Sequence, residues 1–158
     1  MFKTDAEHSM DPEDLKLFKA VICTVAPALE YLKGSDHGIK ELTHHVVTDA
    51  LALVHTPNAK VCRGLWMGAY QHSWLMTKRG NIIDIAPVAT VGGPVLVSGD
   101  LPLNPYTERK INVGSASRDY QSSVHSLAQI FRENQVDEIH KNFADRLTEL
   151  LHHADSEK

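Results

Sequence analysis

The spacing of apolar positions changes twice along the chain. From Asp11 onward, Leu15, Phe18, Val21, Ile22, Val25, Leu29 and Leu32 recur at helical intervals, which predicts a helix running to about Lys33. Its start is strongly marked. Asp11 offers a capping oxygen, Pro12 takes the first helical position, and Glu13 and Asp14 stand at the positive end of the helix dipole. Pro27 falls inside the segment and is expected to kink or divide it, and Gly34-Ser35-Asp36 ends it. A second stripe, made of Leu42, Val46, Val47, Ala50, Leu51 and Val54, predicts a helix from about Ile39 to Val54, closed by Thr56-Pro57-Asn58.

The period then shortens. Val61 to Met67, Gln71 to Lys78 and Asn81 to Ala86 are short runs rich in β-branched and aromatic residues, separated by turns at Gly68 and Gly80, and they read as an antiparallel meander. Val88 to Gly93 is a connecting loop, Pro94 to Ser98 a fourth strand, and Asn104-Pro105-Tyr106 a turn, with Ile111 to Val113 a candidate edge strand; the stretch from Pro87 to Pro94 reads first as an ordinary strand connection and second as a rim over a site. Helical spacing returns from about Asp119 to Glu133 (Leu127, Ile130, Phe131) and from Val136 to His152 (Ile139, Phe143, Leu147, Leu150). The expected fold is α+β: N-terminal helices, an antiparallel sheet of about four strands and two C-terminal helices. One domain over residues 11–153 is expected between a flexible stretch at 1–10 and a flexible tail at 154–158.

Composition narrows the function classes. A length of 158 residues with 42% apolar content suits one core, and a formal charge of −4 lacks the basic footprint of a protein that grips phosphates, so nucleic acid is not the expected partner. No apolar run is long enough to span a bilayer and the first residues are too polar and acidic for a signal peptide, so a cytoplasmic protein that does not enter membranes is expected. Cys23 and Cys62 match no zinc or disulfide spacing and are read as reduced thiols. Of the ten histidines, the His152-His153 pair reads as solvated surface.

Strand register then singles out two side chains. If Lys78-Arg79-Gly80 is a three-residue loop with Gly80 left-handed, Thr77 faces Asn81 and Trp74 faces Asp84. His72, Trp74 and Asp84 then share a face, with His72 and Asp84 diagonal neighbours. A two-residue turn would separate them. A carboxylate beside an imidazole fixes its tautomer and stabilises its protonated form, the arrangement a general base requires. The plainer reading is a pair in which Asp84 only satisfies a half-buried His72.

The run AKVCRGLWMGAYQHSWLMTKRGNIIDIAP resembles the core of the transglutaminase-like superfamily within the papain-like cysteine hydrolases. The matching residues are Arg63 and Gly64, then His72 and Trp74, then Asp84 followed by Pro87, within residues 36–87. The resemblance implies that His72 and Asp84 are the second and third members of a Cys-His-Asp triad, with the cysteine opening the preceding helix. Counting back from Arg63 reaches Thr43 or His44, and neither is a cysteine.

Three readings follow. In the first, the chain descends from thiol hydrolases or acyl transferases acting on amide or peptide bonds and has weakened or altered chemistry. His72 and Asp84 then act with a cysteine, and Cys62 is the nearer one, provided an odd connection brings it to the face of His72. Trp74, Tyr70 and Thr43 would contact the substrate. In the second, the fold binds a protein or peptide in the old cleft without catalysis. In the third, His44, His72 and Asp84 converge as ligands for zinc or iron, with His45 in reserve; otherwise no cofactor is expected. The oligomeric state is left open by all three.

Overall fold

The computed structural model describes residues 10–33, 43–87 and 94–134. Helix α1 spans Pro12–Lys33 and α2 His44–His55. The strands β1 (Ala59–Trp66), β2 (Tyr70–Thr77), β3 (Ile82–Asp84), β4 (Val95–Val97) and β5 (Tyr106–Glu108) follow, and α3 spans Arg118–Asn134. All five strands form one antiparallel sheet in the order β4-β3-β2-β1-β5.

The α1 start is built as its sequence predicts. Asp11 Oδ1 accepts the Glu13 amide at 2.7 Å, and Asp14 turns inward to accept the Thr77 hydroxyl at 3.0 Å and Asn81 Nδ2 at 2.6 Å. Arg79 adds an ion pair to Asp11 at 2.9 Å. The first turn of α1 is thereby tied to the β2–β3 connection, a buried polar anchor with its partners in place. That connection is the odd loop: Gly80 has φ +82°, the Thr77 amide donates to Asn81 O, and Leu75 pairs with Ile83 and Met76 with Ile82. Continuing that register sets Trp74 across from Asp84.

The sheet buries both faces. Toward the helices it presents Ala59, Val61, Leu75, Ile83 and Leu96, which pack with Val21 and Val25 of α1, Val46, Val47, Ala50 and Leu51 of α2, and Tyr120, Val124, Leu127, Ala128 and Phe131 of α3. On the other face Cys62, Trp74, Ile82 and Tyr106 form a second cluster flanked by Trp66, Met76 and Val97. Because side chains alternate along a strand, His72 and Asp84 lie on this second face.

Several expectations change. Among the described residues the sheet has five strands where about four were expected, and the edge strand is Tyr106–Glu108 instead of Ile111–Val113, because Pro105 O accepts the Met67 amide at 2.8 Å and the Arg109 amide donates to Arg63 O at 3.1 Å. Gly64 permits this approach: a Cβ there would lie 1.9 Å from Thr107 O. Helix α1 is not divided at Pro27, and Leu15 is exposed while Leu17 packs on the core. The second helix begins at His44 rather than near Ile39, because Thr43 is extended and caps it; residues 39–42 lie outside the described residues, as do the 88–93 loop, the helix over 136–152, residues 1–9 and the 154–158 tail.

Candidate functional site

His72 and Asp84 come together as the odd loop requires. His72 Nε2 is 2.8 Å from Asp84 Oδ2, and the two side chains are 2% and 0% exposed. A buried carboxylate is costly unless its oxygens are satisfied. Here the Tyr106 hydroxyl donates to Asp84 Oδ2 at 2.7 Å and the Ala86 amide to Oδ1 at 3.0 Å. Burial, then the adjacent Asp84 charge, drives the Tyr106 phenol far above its ordinary range, so it stays a donor. Tyr106 comes from the edge strand that the sequence did not disclose.

The start of α2 closes the other side. Thr43 is its N-cap, with the hydroxyl oxygen accepting from the Val46 amide, so this residue serves the helix. His44 follows in the first turn, its ring centroid 4.5 Å from that of His72 and 3.9 Å from that of His45. Ser73 joins these rings to the sheet. Its amide donates to His44 Nε2 at 3.2 Å, and its hydroxyl lies 2.7 Å from His45 Nδ1. Arg63 Nη1 also reaches the Ser73 hydroxyl oxygen at 3.2 Å, and a guanidinium only donates, so the network assigns the Ser73 proton to His45. Arg63 itself forks onto both oxygens of Asp49 at 2.8 and 2.7 Å, and the Tyr120 hydroxyl donates to Asp49 Oδ2.

These surroundings set protonation. Burial first, and then the neighbouring His45 and His72 rings, lower the His44 pKa to about 4. Burial and Arg63 also lower that of His45. Both rings are therefore neutral at pH 7, as their acceptor roles demand.

Cys62 does reach the face of His72, since Met67-Gly68-Ala69 is a three-residue connection with Trp66 paired to Tyr70. Its surroundings disfavour the thiolate form. The thiol stands opposite Trp74 in the second cluster, and burial together with the Glu108 carboxylate raises its pKa to about 11. Trp74 is buried rather than lining a surface, and its Nε1–H has no hydrogen-bond partner among the described residues. Tyr70 is exposed at the mouth of the β1–β2 hairpin.

His44, His72 and Asp84, the set offered for zinc or iron, are not arranged as a metal site in this structure. Among the described residues no three His, Cys, Asp or Glu side chains are arranged to hold a metal ion. The physical reason is that His44 Nε2 is turned to the Ser73 amide and His72 Nε2 to Asp84.

Sequence reasoning missed Tyr106, Ser73, Asp49 and Tyr120, and kept His45 only as a spare ligand. The signal available was the Arg63 position, an internal cation that needs a carboxylate partner. Two surface grooves, of about 300 and 500 Å³, lie around Pro57, Asn58, Lys60 and Met76 and around Asp49, Leu53, Arg63 and His125; neither includes His44, His72 or Asp84. No helix among the described residues is long and apolar enough to cross a membrane. Compared with known proteins, the chain matches no family model, no curated protein and no solved structure.

Proposed function

We propose that this chain is a non-catalytic relative of the transglutaminase-like, papain-like hydrolases that binds a protein or peptide. The observation that carries the reading is the identity of the group beside His72. On the first turn of α2, where the resemblance calls for a thiol, stands the neutral imidazole of His44, 4.5 Å from the His72 ring. A neutral imidazole that spends its lone pair on a backbone amide is a poor substitute for a thiolate.

Surface chemistry near the same end of the sheet supports binding. Met67, Tyr70 and Leu103 are 65%, 57% and 92% exposed, and the hydrogen bond from the Met67 amide to Pro105 O draws the hairpin and the 102–105 turn together. The Trp66 ring lies 6.2 Å from that of Tyr70. Exposed apolar and aromatic side chains gathered in one place are a common basis for partner recognition.

The test pairs turnover with binding on the full chain. Wild type should show no amide hydrolysis that depends on His72 and no adduct with a thiol-directed acyl probe. Peptides selected from a random library should bind wild type and lose affinity about tenfold or more on Met67→Asp or Tyr70→Ala. Hydrolysis abolished by His72→Ala, or selected peptides indifferent to both surface variants, would refute the reading.

A further inference from the structure

The Ser73 amide occupies an unusual position in the sheet. The Thr77 amide faces β3, donating to Asn81 O, and by alternation Ser73 presents its amide on the same edge. Strand β3, however, ends at Asp84, so no β3 residue lies opposite Ser73. A buried amide without an acceptor is costly, and His44 Nε2 fills the gap. The Ser73 hydroxyl, held on one side by Arg63, uses His45 Nδ1 as its acceptor. Both contacts need an unprotonated ring nitrogen. A proton on His44 Nε2 would turn acceptor into donor and set two N–H groups against each other.

We propose that His44, His45 and Ser73 form an acid-labile clasp: neutral imidazoles hold the start of α2 against β2, and their protonation releases it and uncovers His72 and Asp84. The groups facing the clasp come from every element around it. His45 and Asp49 lie on α2, Arg63 on β1, His72 on β2, Asp84 on β3, Tyr106 on β5 and Tyr120 on α3. Two of these are carboxylates, but each already has its own partners. Asp49 is forked by Arg63 and bonded by Tyr120, and Asp84 receives Tyr106, His72 and the Ala86 amide. Neither makes a hydrogen bond to His44. Burial and the flanking rings hold His44 well below an ordinary histidine, so the folded state takes up its proton only in acid, while the unfolded chain takes it up near pH 6.5. The hold is therefore complete above pH 6.5 and weakens as pH falls from there toward 4.

A role for this release in controlling partner binding rests on the function proposed above. The clasp itself does not, and it is tested without a partner. Amide hydrogen exchange of Ser73, corrected for intrinsic rates, should lose at least about tenfold protection between pH 7 and pH 4 in wild type. His44→Gln, whose side-chain oxygen can accept from the same amide and cannot be protonated, should stay within about threefold over that range. In wild type alone, the His44 ring and the Ser73 amide should titrate together in NMR with a midpoint below 6. Unchanged Ser73 protection at pH 4 overturns the clasp, as does an ordinary His44 titration near 6.5 with a silent Ser73 amide. If His44→Gln folds, an acid loss equal to that of wild type also overturns it.

Discussion

Gly64→Ala puts the link between the sheet edge and the buried carboxylate to a quantitative test. A Cβ at this position would lie 1.9 Å from Thr107 O, 2.7 Å from the Arg109 amide and 2.8 Å from Thr107 C, all of them backbone atoms that cannot rotate away. Relief requires β5 to shift by about 1 Å or more, since a carbon and a carbonyl oxygen settle near 3.3 Å even in a close C–H···O contact. Three hydrogen bonds depend on β5 staying in place: Arg109 N to Arg63 O at 3.1 Å, Met67 N to Pro105 O at 2.8 Å, and the Tyr106 hydroxyl to Asp84 at 2.7 Å. Each backbone bond contributes about 0.5–1.5 kcal/mol net, and a bond to a charged group about 1.5–3 kcal/mol. The expected destabilisation is about 3–5 kcal/mol by urea denaturation, and Tyr106→Phe alone should account for about 1.5–3 of it. In a double-mutant cycle the two should be strongly non-additive, because Gly64→Ala already removes most of what the Tyr106 hydroxyl supplies. A cost below about 1 kcal/mol for Gly64→Ala, or full additivity, would show that β5 does not position Tyr106 on Asp84.

Other consequences are checked separately. Stability of wild type should decline as pH falls from about 6.5 toward 4, because the folded-state His44 pKa of about 4 lies below its unfolded value; after discounting for the ring's partial exposure the loss is about 1–2 kcal/mol, and His44→Gln should flatten it in pH-dependent denaturation. Arg63→Lys cannot fork onto Asp49 and should cost about 1–3 kcal/mol in thermal or urea unfolding, with a smaller loss expected for Tyr120→Phe. Cys62, with its thiol raised to about 11 and buried, should stay unlabelled by iodoacetamide at pH 8 and react fully in denaturant, as read by mass spectrometry.

What the sequence disclosed and what it hid follow from the range of the forces involved. The approach of His72 to Asp84 was legible because it depends on local rules: strict alternation and a left-handed glycine at the end of a three-residue turn. The start of α1 was legible for the same reason, since Asp11 and Pro12 act on their own first turn; the start of α2 was not, because Thr43 caps it several residues beyond the start near Ile39 that the apolar stripe predicts. Tyr106 was not, because it reaches Asp84 only after β5 pairs with β1 from some forty residues away, and no local periodicity marks a three-residue strand beginning beside a proline. Ile111 and Val113 carried the stronger β propensity and lost to the hydrogen bonds at Pro105 and Arg109 and to the close approach allowed at Gly64. The role of Ser73 was hidden more deeply. It arises from where β3 leaves the ladder, and that boundary is set by tertiary packing.

The most direct measurement on the central claim is the thiol pKa of His44→Cys, obtained from the pH dependence of its alkylation rate. If the first turn of α2 is the place of a nucleophile, a cysteine there sits at a positive helix end beside an imidazole oriented by Asp84. Its thiol should then ionise below about 7 and lose that depression in the His44→Cys, His72→Ala double variant. A thiol that ionises at the ordinary 8.5 or above, unchanged by removal of His72, would mean that His44 stands in no nucleophile's place.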